Sequence, residues 1–122
     1  MTAPKKLGTI AERIKAKSDG ASEIISIPEW DEKIEVRSMT GLERSQFLKA
    51  FMRDGEIDQE ALYPSLLIAA CFDPETGEKI FAPDAATWIN SKNSAALERV
   101  AKAAMRLSGI DEGAKDKVGE GS

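Results

Sequence analysis

One alternating segment limits the folds open to this chain more than any other feature. Residues 33–37 read K-I-E-V-R, with apolar side chains on one face and charged side chains on the other, as in a half-buried strand. Residues 23–27, E-I-I-S-I, form a second candidate strand that ends at Pro28, because proline cannot donate to a ladder. We therefore predict an antiparallel hairpin. Since two strands are marginal alone, its apolar face must pack on helices.

Two segments in the middle of the chain have apolar residues at helical spacing, and those assigned to one face of the first are Phe47, Leu48, Phe51 and Met52. The first begins with T-G-L-E at 40–43, a capping box that satisfies two backbone donors, and we expect it to stop at the Asp-Gly pair of 54–55. The second, from about 58 to 72, is apolar on nearly all sides, so we place it at the centre of the fold. Pro64 either kinks this helix or lies in the first turn of a shorter one.

The C-terminal half adds a short helix predicted over 83–90, with Ala86 and Ile89 facing inward, and a clearly amphipathic last helix over about 94–107. Residues 1–21 form a basic, flexible or weakly helical segment, and the tail at 111–122 is predicted to be disordered, because it is poor in bulky apolar residues. A single globular domain is expected over 22–110. The predicted fold class is α+β, mainly α, with an N-terminal β-hairpin packed on a bundle of four to five short helices.

The sequence shows no catalytic or metal-binding pattern. It contains no histidine, the commonest general base and zinc ligand, and its glycines form no phosphate-binding loop. Its single cysteine, Cys71, lies in an apolar run, where a thiol stays protonated and unreactive. The acidic turn at 73–78 lacks the ligand order of a calcium loop. We predict that the protein is not an enzyme and that it uses no cofactor and no metal.

The charge and hydropathy of the chain bear on its partners and its location. With a formal net charge of -4, the chain repels phosphate backbones, so nucleic acid is not an expected partner. No stretch approaches the roughly 20 apolar residues needed to span a bilayer, and the first residues lack the apolar core of a signal peptide. We therefore expect a cytoplasmic protein with no membrane partner.

The order of these segments resembles the tail assembly chaperones of siphoviruses, which are long-tailed bacteriophages. The first matching segment is I-S-I-P-E-W-D-E-K-I-E-V-R-S-M-T-G-L-E-R-S-Q-F at 25–47. The others are L-L-I-A-A-C-F-D-P-E-T-G-E-K-I-F at 66–81 and N-S-A-A-L-E-R-V-A-K-A-A-M-R-L-S-G-I at 93–110. The resemblance covers residues 24–110, and it rests on residues that determine the fold.

This resemblance implies that the chain binds other proteins. Members of the family bind the phage tape measure protein, keep it soluble and promote assembly of the tail tube around it. The expected partner is the tape measure protein, with the tail tube protein as a second candidate and homo-oligomer formation left open. The expected location is the host bacterial cytoplasm and not the mature virion. Two alternatives are a virion structural subunit, such as a head-tail connector or minor tail protein, and a bacterial protein-interaction domain.

A chaperone for an apolar helix needs apolar surface of its own. Small helical domains rarely bury every large residue of two apolar stripes, so we expect a partner-binding groove along one of them. The candidate partner-binding residues are Phe47, Phe51, Met52, Trp88 and Met105. The first three and the last two form alternative borders of that groove. Trp30, like Trp88, belongs either to the core or to an interface.

Overall fold

The computed structural model of the protein describes residues 8–110. The predictions made for residues 1–7 and for the tail at 111–122 lie outside the described residues. The described part of the chain contains four α-helices, a three-stranded antiparallel sheet, a second sheet of two very short strands, and several 3₁₀ turns. The fold class is α+β and mainly α, which confirms the sequence prediction.

The first element is α1 (Ile10–Ala16), a short helix in the basic N-terminal segment. In its capping box, the Thr9 amide donates to a Glu12 carboxylate oxygen at 2.8 Å, and the Glu12 amide donates to the Thr9 hydroxyl oxygen at 3.2 Å. None of its side chains is buried, and Ile10 and Ile14 are exposed. Because isolated helices of this length are marginal in water, α1 depends strongly on its cap.

The predicted hairpin follows α1. β1 (Ser22–Ile27) and β2 (Glu32–Arg37) pair antiparallel over their full length, and a 3₁₀ turn at Pro28–Trp30 joins them. Ile34 and Val36 on β2 are buried, whereas the charged residues that alternate with them are not. The alternation thus correctly predicted which face of β2 packs on the core.

The next helix, α2 (Gly41–Phe51), begins with the predicted capping box. Phe47 is buried and stacks on Phe51, with ring centroids 5.5 Å apart. Leu48 and Met52, which the spacing assigned to the same apolar face, are exposed. That assignment was wrong, because Leu48 lies about 100° around the helix from Phe47 and Met52 lies beyond the helix end.

The Asp-Gly pair after α2 is a hairpin turn and not a helix stop. Two short strands, β3 (Met52–Arg53) and β4 (Glu56–Ile57), pair antiparallel around it. Asp54 and Gly55 have φ of 51° and 79°, respectively. Positive φ at both central residues is typical of a type I′ turn, in which Asp-Gly is a favoured pair.

The central helix is shorter than predicted at both ends. A 3₁₀ turn at Gln59–Ala61 precedes α3 (Leu62–Ala70), and Pro64 lies in the first turn of α3, where a missing N–H breaks no helical hydrogen bond. The chain then enters β5 (Cys71–Phe72), which pairs antiparallel with β2 as the third strand of the sheet. Sequence analysis missed β5 because a two-residue strand in an apolar run has the same pattern as a helix end.

The short helix predicted before the last one is wrong in type. Two 3₁₀ segments, Pro83–Thr87 and Ile89–Ser91, replace it. The hydroxyl group at the end of each segment donates to a carbonyl oxygen three residues earlier, at 2.9 Å and 2.7 Å, and such local bonds compete with an α-helix. Ile89 is buried as expected, but Ala85 is buried in place of Ala86.

The last helix, α4 (Ser94–Leu107), has the predicted bounds. The Asn93 side chain caps it by accepting a hydrogen bond from the Ala96 amide at 3.0 Å. The inner face of the hairpin packs on α4, and α3 packs on both α4 and α2. The large side chains with the least exposure are Ile27, Val36, Leu66, Leu67, Cys71, Ile89 and Val100.

Opposite faces of β1 give a direct test of this core. Ile27 has no exposed surface, whereas Ile24 on the same strand is 58% exposed. We expect Ile27→Ala to lower the free energy of unfolding by about 2–5 kcal/mol, since it removes a core side chain and leaves a cavity. Ile24→Ala should change it by no more than about 0.5 kcal/mol. Urea denaturation followed by circular dichroism measures both, and equal losses would contradict this packing.

Candidate partner-binding groove

The five binding residues predicted from the sequence lie in separate places. Phe47, Phe51 and Met52 follow one another along the end of α2, where Phe47 is buried, Phe51 is half-buried and Met52 is exposed. Trp88 precedes α4 and is half-exposed, while Met105 is half-buried about three turns along that helix. The structure therefore does not bring Trp88 and Met105 together, and the binding role of all five residues stays a prediction.

Trp88 instead lines an open groove of about 1100 Å³ beneath the tip of the β1–β2 hairpin, which we name the hairpin groove. Parts of the hairpin at residues 24–34 line it, together with residues 73–75, 80–81, 88–89 and 92. Leu67 from α3 and Leu97 from α4 adjoin the groove but are themselves buried. The groove thus joins segments that lie far apart in sequence.

Both tryptophans of the chain line the hairpin groove. The Trp88 ring lies 5.8 Å from the Phe81 ring at a tilt of 58°, and Trp88 is 47% exposed. Trp30 packs against the core, and its indole N–H is buried without a hydrogen-bond partner. An unpaired buried donor is unfavourable by about 1–3 kcal/mol. Trp30 therefore joins core and groove, while Trp88 exposes an aromatic face.

Two further exposed residues of the groove were missed by the sequence analysis. Ile24 lies on β1 and Ile80 lies after the acidic turn, and both are exposed. The signal for Ile24 was present, because consecutive isoleucines in a strand must point to opposite faces. No comparable signal marks Ile80, whose amide donates to the Cys71 carbonyl oxygen at 3.1 Å across the turn.

An ion pair holds the hairpin tip against α4. The guanidinium group of Arg99 donates to both carboxylate oxygens of Glu29, at 2.7 Å and 3.0 Å. The hydrogen bond from Arg99 is the main reason that the pKa of Glu29 falls from 4.5 to about 2. The same contact raises the pKa of Arg99 above its usual value. Glu29 therefore stays ionised in the folded protein well below neutral pH.

The acidic turn beside the groove is built from its own side chains. An Asp73 carboxylate oxygen accepts hydrogen bonds from the amides of Glu75 at 2.8 Å and Thr76 at 3.4 Å. Gly77 takes a φ of 79°, and its amide donates to the Asp73 carbonyl oxygen at 2.8 Å. Asp73 thus has a structural role in the turn, as expected for Asp-Pro-Glu-Thr-Gly.

The single cysteine of the chain, Cys71, is buried. Burial raises the pKa of the Cys71 thiol to about 12, so this thiol remains protonated in the folded protein. Among residues 8–110, no group of three or more His, Cys, Asp or Glu side chains is placed to hold a metal ion.

No helix described between residues 8 and 110 combines the length and the apolar character that crossing a membrane requires.

No family model matches the chain, and no curated protein matches it at a significant level. Among solved structures, the bacteriophage HK97 tail assembly chaperone is similar to it with a TM-score of 0.57. The match covers 88% of this chain and 95% of that chain.

The chain has the fold of a tail assembly chaperone. At 18% sequence identity, the likeness to the HK97 tail assembly chaperone is one of architecture and not of individual side chains. The fold that the sequence resemblance implied is therefore confirmed over most of the chain. A shared fold does not by itself assign a function, because function depends on the site.

The Glu29–Arg99 pair predicts a pH effect. Because folding lowers the pKa of the Glu29 carboxyl group, ionised Glu29 stabilises the folded state above pH 4.5. This stabilisation is lost as the pH falls toward 2. We expect Arg99→Gln to raise the pKa of Glu29 toward 4.5, as measured by carboxyl NMR titration. The difference in free energy of unfolding between wild type and Arg99→Gln should shrink as the pH falls through the same range.

Arg106→Gln is the matched control, since Arg106 pairs with Glu23 at 2.7 Å and not with Glu29. It should leave the titration of Glu29 unchanged. A wild-type Glu29 that titrates near 4.5 would contradict the ion pair at the hairpin tip.

Proposed function

We propose that this chain is a tail assembly chaperone of a long-tailed bacteriophage. It binds the tape measure protein, keeps it soluble and promotes assembly of the tail tube around it. The observation that carries the proposal is the fold shared with the HK97 tail assembly chaperone across nearly the full length of both chains. The three sequence segments that resemble this family fall on the hairpin and α2, on α3 and β5, and on α4.

The surface of the domain suits such a role. Ile24, Ile80 and Trp88 are large apolar residues that are exposed in one groove. Exposed apolar residues that share a concave surface favour contact with another protein. A groove of this kind accommodates the apolar face of an amphipathic helix, and the charged residues around it keep the complex hydrated.

The proposed place and time of action follow from the same role. A chaperone acts in the host bacterial cytoplasm while the tail is being built, and it is absent from the mature virion. Its work consists of binding and release, so it needs no catalytic group, cofactor or metal. Tail tube protein is the second proposed partner, because tube subunits must meet the tape measure protein during assembly.

Affinity capture from cells that are assembling phage tails tests the proposal. The chain is tagged in the infected or induced host, recovered during assembly, and its partners are identified by mass spectrometry. We expect one very long helical protein to be recovered, and we expect this protein to be lost when the tape measure gene is deleted. The tag alone serves as the control.

The composition of purified virions and the captured partners together separate the alternatives. Mass spectrometry of purified virions should not detect the chain if it is a chaperone. Its presence there would favour a head-tail connector or minor tail protein. Recovery of host proteins alone would favour a bacterial protein-interaction domain and would refute the chaperone proposal.

A further inference from the structure

We propose that the hairpin groove recognises a basic, amphipathic helical segment of the partner protein. This inference rests on the proposed function and deepens it, because it names the site of binding and the chemistry of the bound segment. Two properties of the groove carry it: the apolar surface that it exposes and the sign of the charge around that surface.

Part of the apolar surface that lines the groove is exposed to solvent. Trp88, Ile24 and Ile80 are exposed at its edges, while Leu67 and Leu97 form buried surface below them. A helix that places one apolar stripe in the groove would cover these exposed side chains and leave its polar face in water. The apolar residues alone do not select the charge of that polar face.

The charge around the groove makes that selection. Five carboxylate side chains line the groove, against two lysines. Glu29 is engaged by its ion pair and Asp73 by its own turn. Asp31, Glu32 and Glu75 are exposed among the lining residues, where they outnumber Lys33 and Lys92, which are exposed as well. Acidic groups in this position attract a cationic segment and repel an acidic one.

The tryptophans favour the same ligand chemistry. Trp88 exposes nearly half of its surface, and indole faces attract lysine and arginine side chains. Trp30 and Trp88 contribute to the same groove, so both the apolar stripe and the basic flank of a helix would contact aromatic rings there. Aromatic residues in such positions dominate the free energy of many interfaces.

A pair of designed peptides tests this preference. The probe is a peptide of about 18 residues, or five helical turns, with leucines at helical spacing and lysines elsewhere; its counterpart carries glutamates in place of the lysines. Each is titrated into the full chain at low salt while tryptophan emission is recorded. Since both tryptophans of the chain line the groove, occupancy should change the emission. We expect the basic peptide to bind at least about tenfold more tightly, and equal affinity would overturn the proposal.

Two double variants locate the charge effect. Glu32→Gln with Glu75→Gln removes two negative charges from the groove, whereas Glu56→Gln with Glu98→Gln removes two exposed negative charges elsewhere. The groove variant should bind the basic peptide about five- to tenfold more weakly, because it loses nearby attraction. The control variant should stay within about twofold of wild type. Similar losses in both would show a general charge effect and refute a specific groove.

Two single variants test the apolar contact. Trp88→Ala should weaken binding of the basic peptide by about tenfold or more. Leu42→Ala removes an exposed side chain outside the groove and should have no effect on this binding. Calorimetry gives these affinities without relying on Trp88 emission. Unchanged binding by the Trp88 variant would place the peptide elsewhere and overturn the proposal.

A second copy of the chain is the competing occupant, because α1 exposes Ile10 and Ile14 beside basic residues. Sedimentation of the wild-type chain distinguishes the two. The wild-type chain would then form a dimer. If this dimer is lost in the double variant Ile10→Ala with Ile14→Ala, and also in the groove double variant, the groove binds α1 of another copy. That result would overturn the partner-segment proposal.

Capture of the tape measure protein separates this inference from the proposed function. If the groove variants capture that protein as well as wild type does, the function stands and the groove assignment is wrong. If the wild-type chain captures no tape measure protein, the proposed function is wrong, whatever the peptide affinities are. If the groove variants lose capture of the tape measure protein while the control variants retain it, both the proposed function and the groove assignment are supported.

Discussion

The burial of the hairpin on α4 is the contact on which the rest of the structure depends. A two-stranded hairpin is marginal in water, and β1 and β2 become stable because Ile27, Ile34 and Val36 are covered by helices. The buried residues of α4, which packs on both the hairpin and α3, are four alanines with Leu97 and Val100, and the small alanine side chains allow neighbouring backbones to approach closely. The buried apolar face of α4 therefore determines where the hairpin lies.

The position of α3 follows from this contact. α3 packs on α4, and its last residue leads directly into β5, which pairs with β2. Helix and sheet are thus connected without a loop, so a shift of α3 would disturb the edge of the sheet. Leu66 and Leu67 have no exposed surface because α3 is surrounded by α2, α4 and the 3₁₀ segments.

Local sequence signals explain which elements were predictable. The hairpin, the capping box of α2 and both ends of α4 depend on alternation and capping, which act within a few residues. The strands β3 and β5 were missed because their formation is decided by pairing with a neighbour, and an Asp-Gly pair is compatible with a helix end or a turn. The 3₁₀ segments at 83–91 were missed because hydroxyl groups compete there for the backbone carbonyls.

The hairpin groove was less predictable than the fold. Trp88 was named from its residue type, but its position opposite the hairpin tip results from a tertiary arrangement. The ion pair between Glu29 and Arg99 joins residues 70 positions apart, and no periodicity connects them. The exposure of the Phe47, Met52 and Met105 side chains depends on where helices end and how they pack. An apolar stripe predicted from the sequence therefore could not identify a groove.

The low identity with the HK97 tail assembly chaperone has a physical explanation. A fold of this kind requires apolar residues at about the right spacing, caps and turns, and many sequences meet those requirements. The edge of the hairpin groove is under no such constraint, because Glu32 and Glu75 are exposed and can change with little effect on stability. Specificity for one partner requires charges that repel other segments as well as attract the correct one. Under the proposed binding role, the groove edge is the part of this fold where partner choice can change while the architecture is retained.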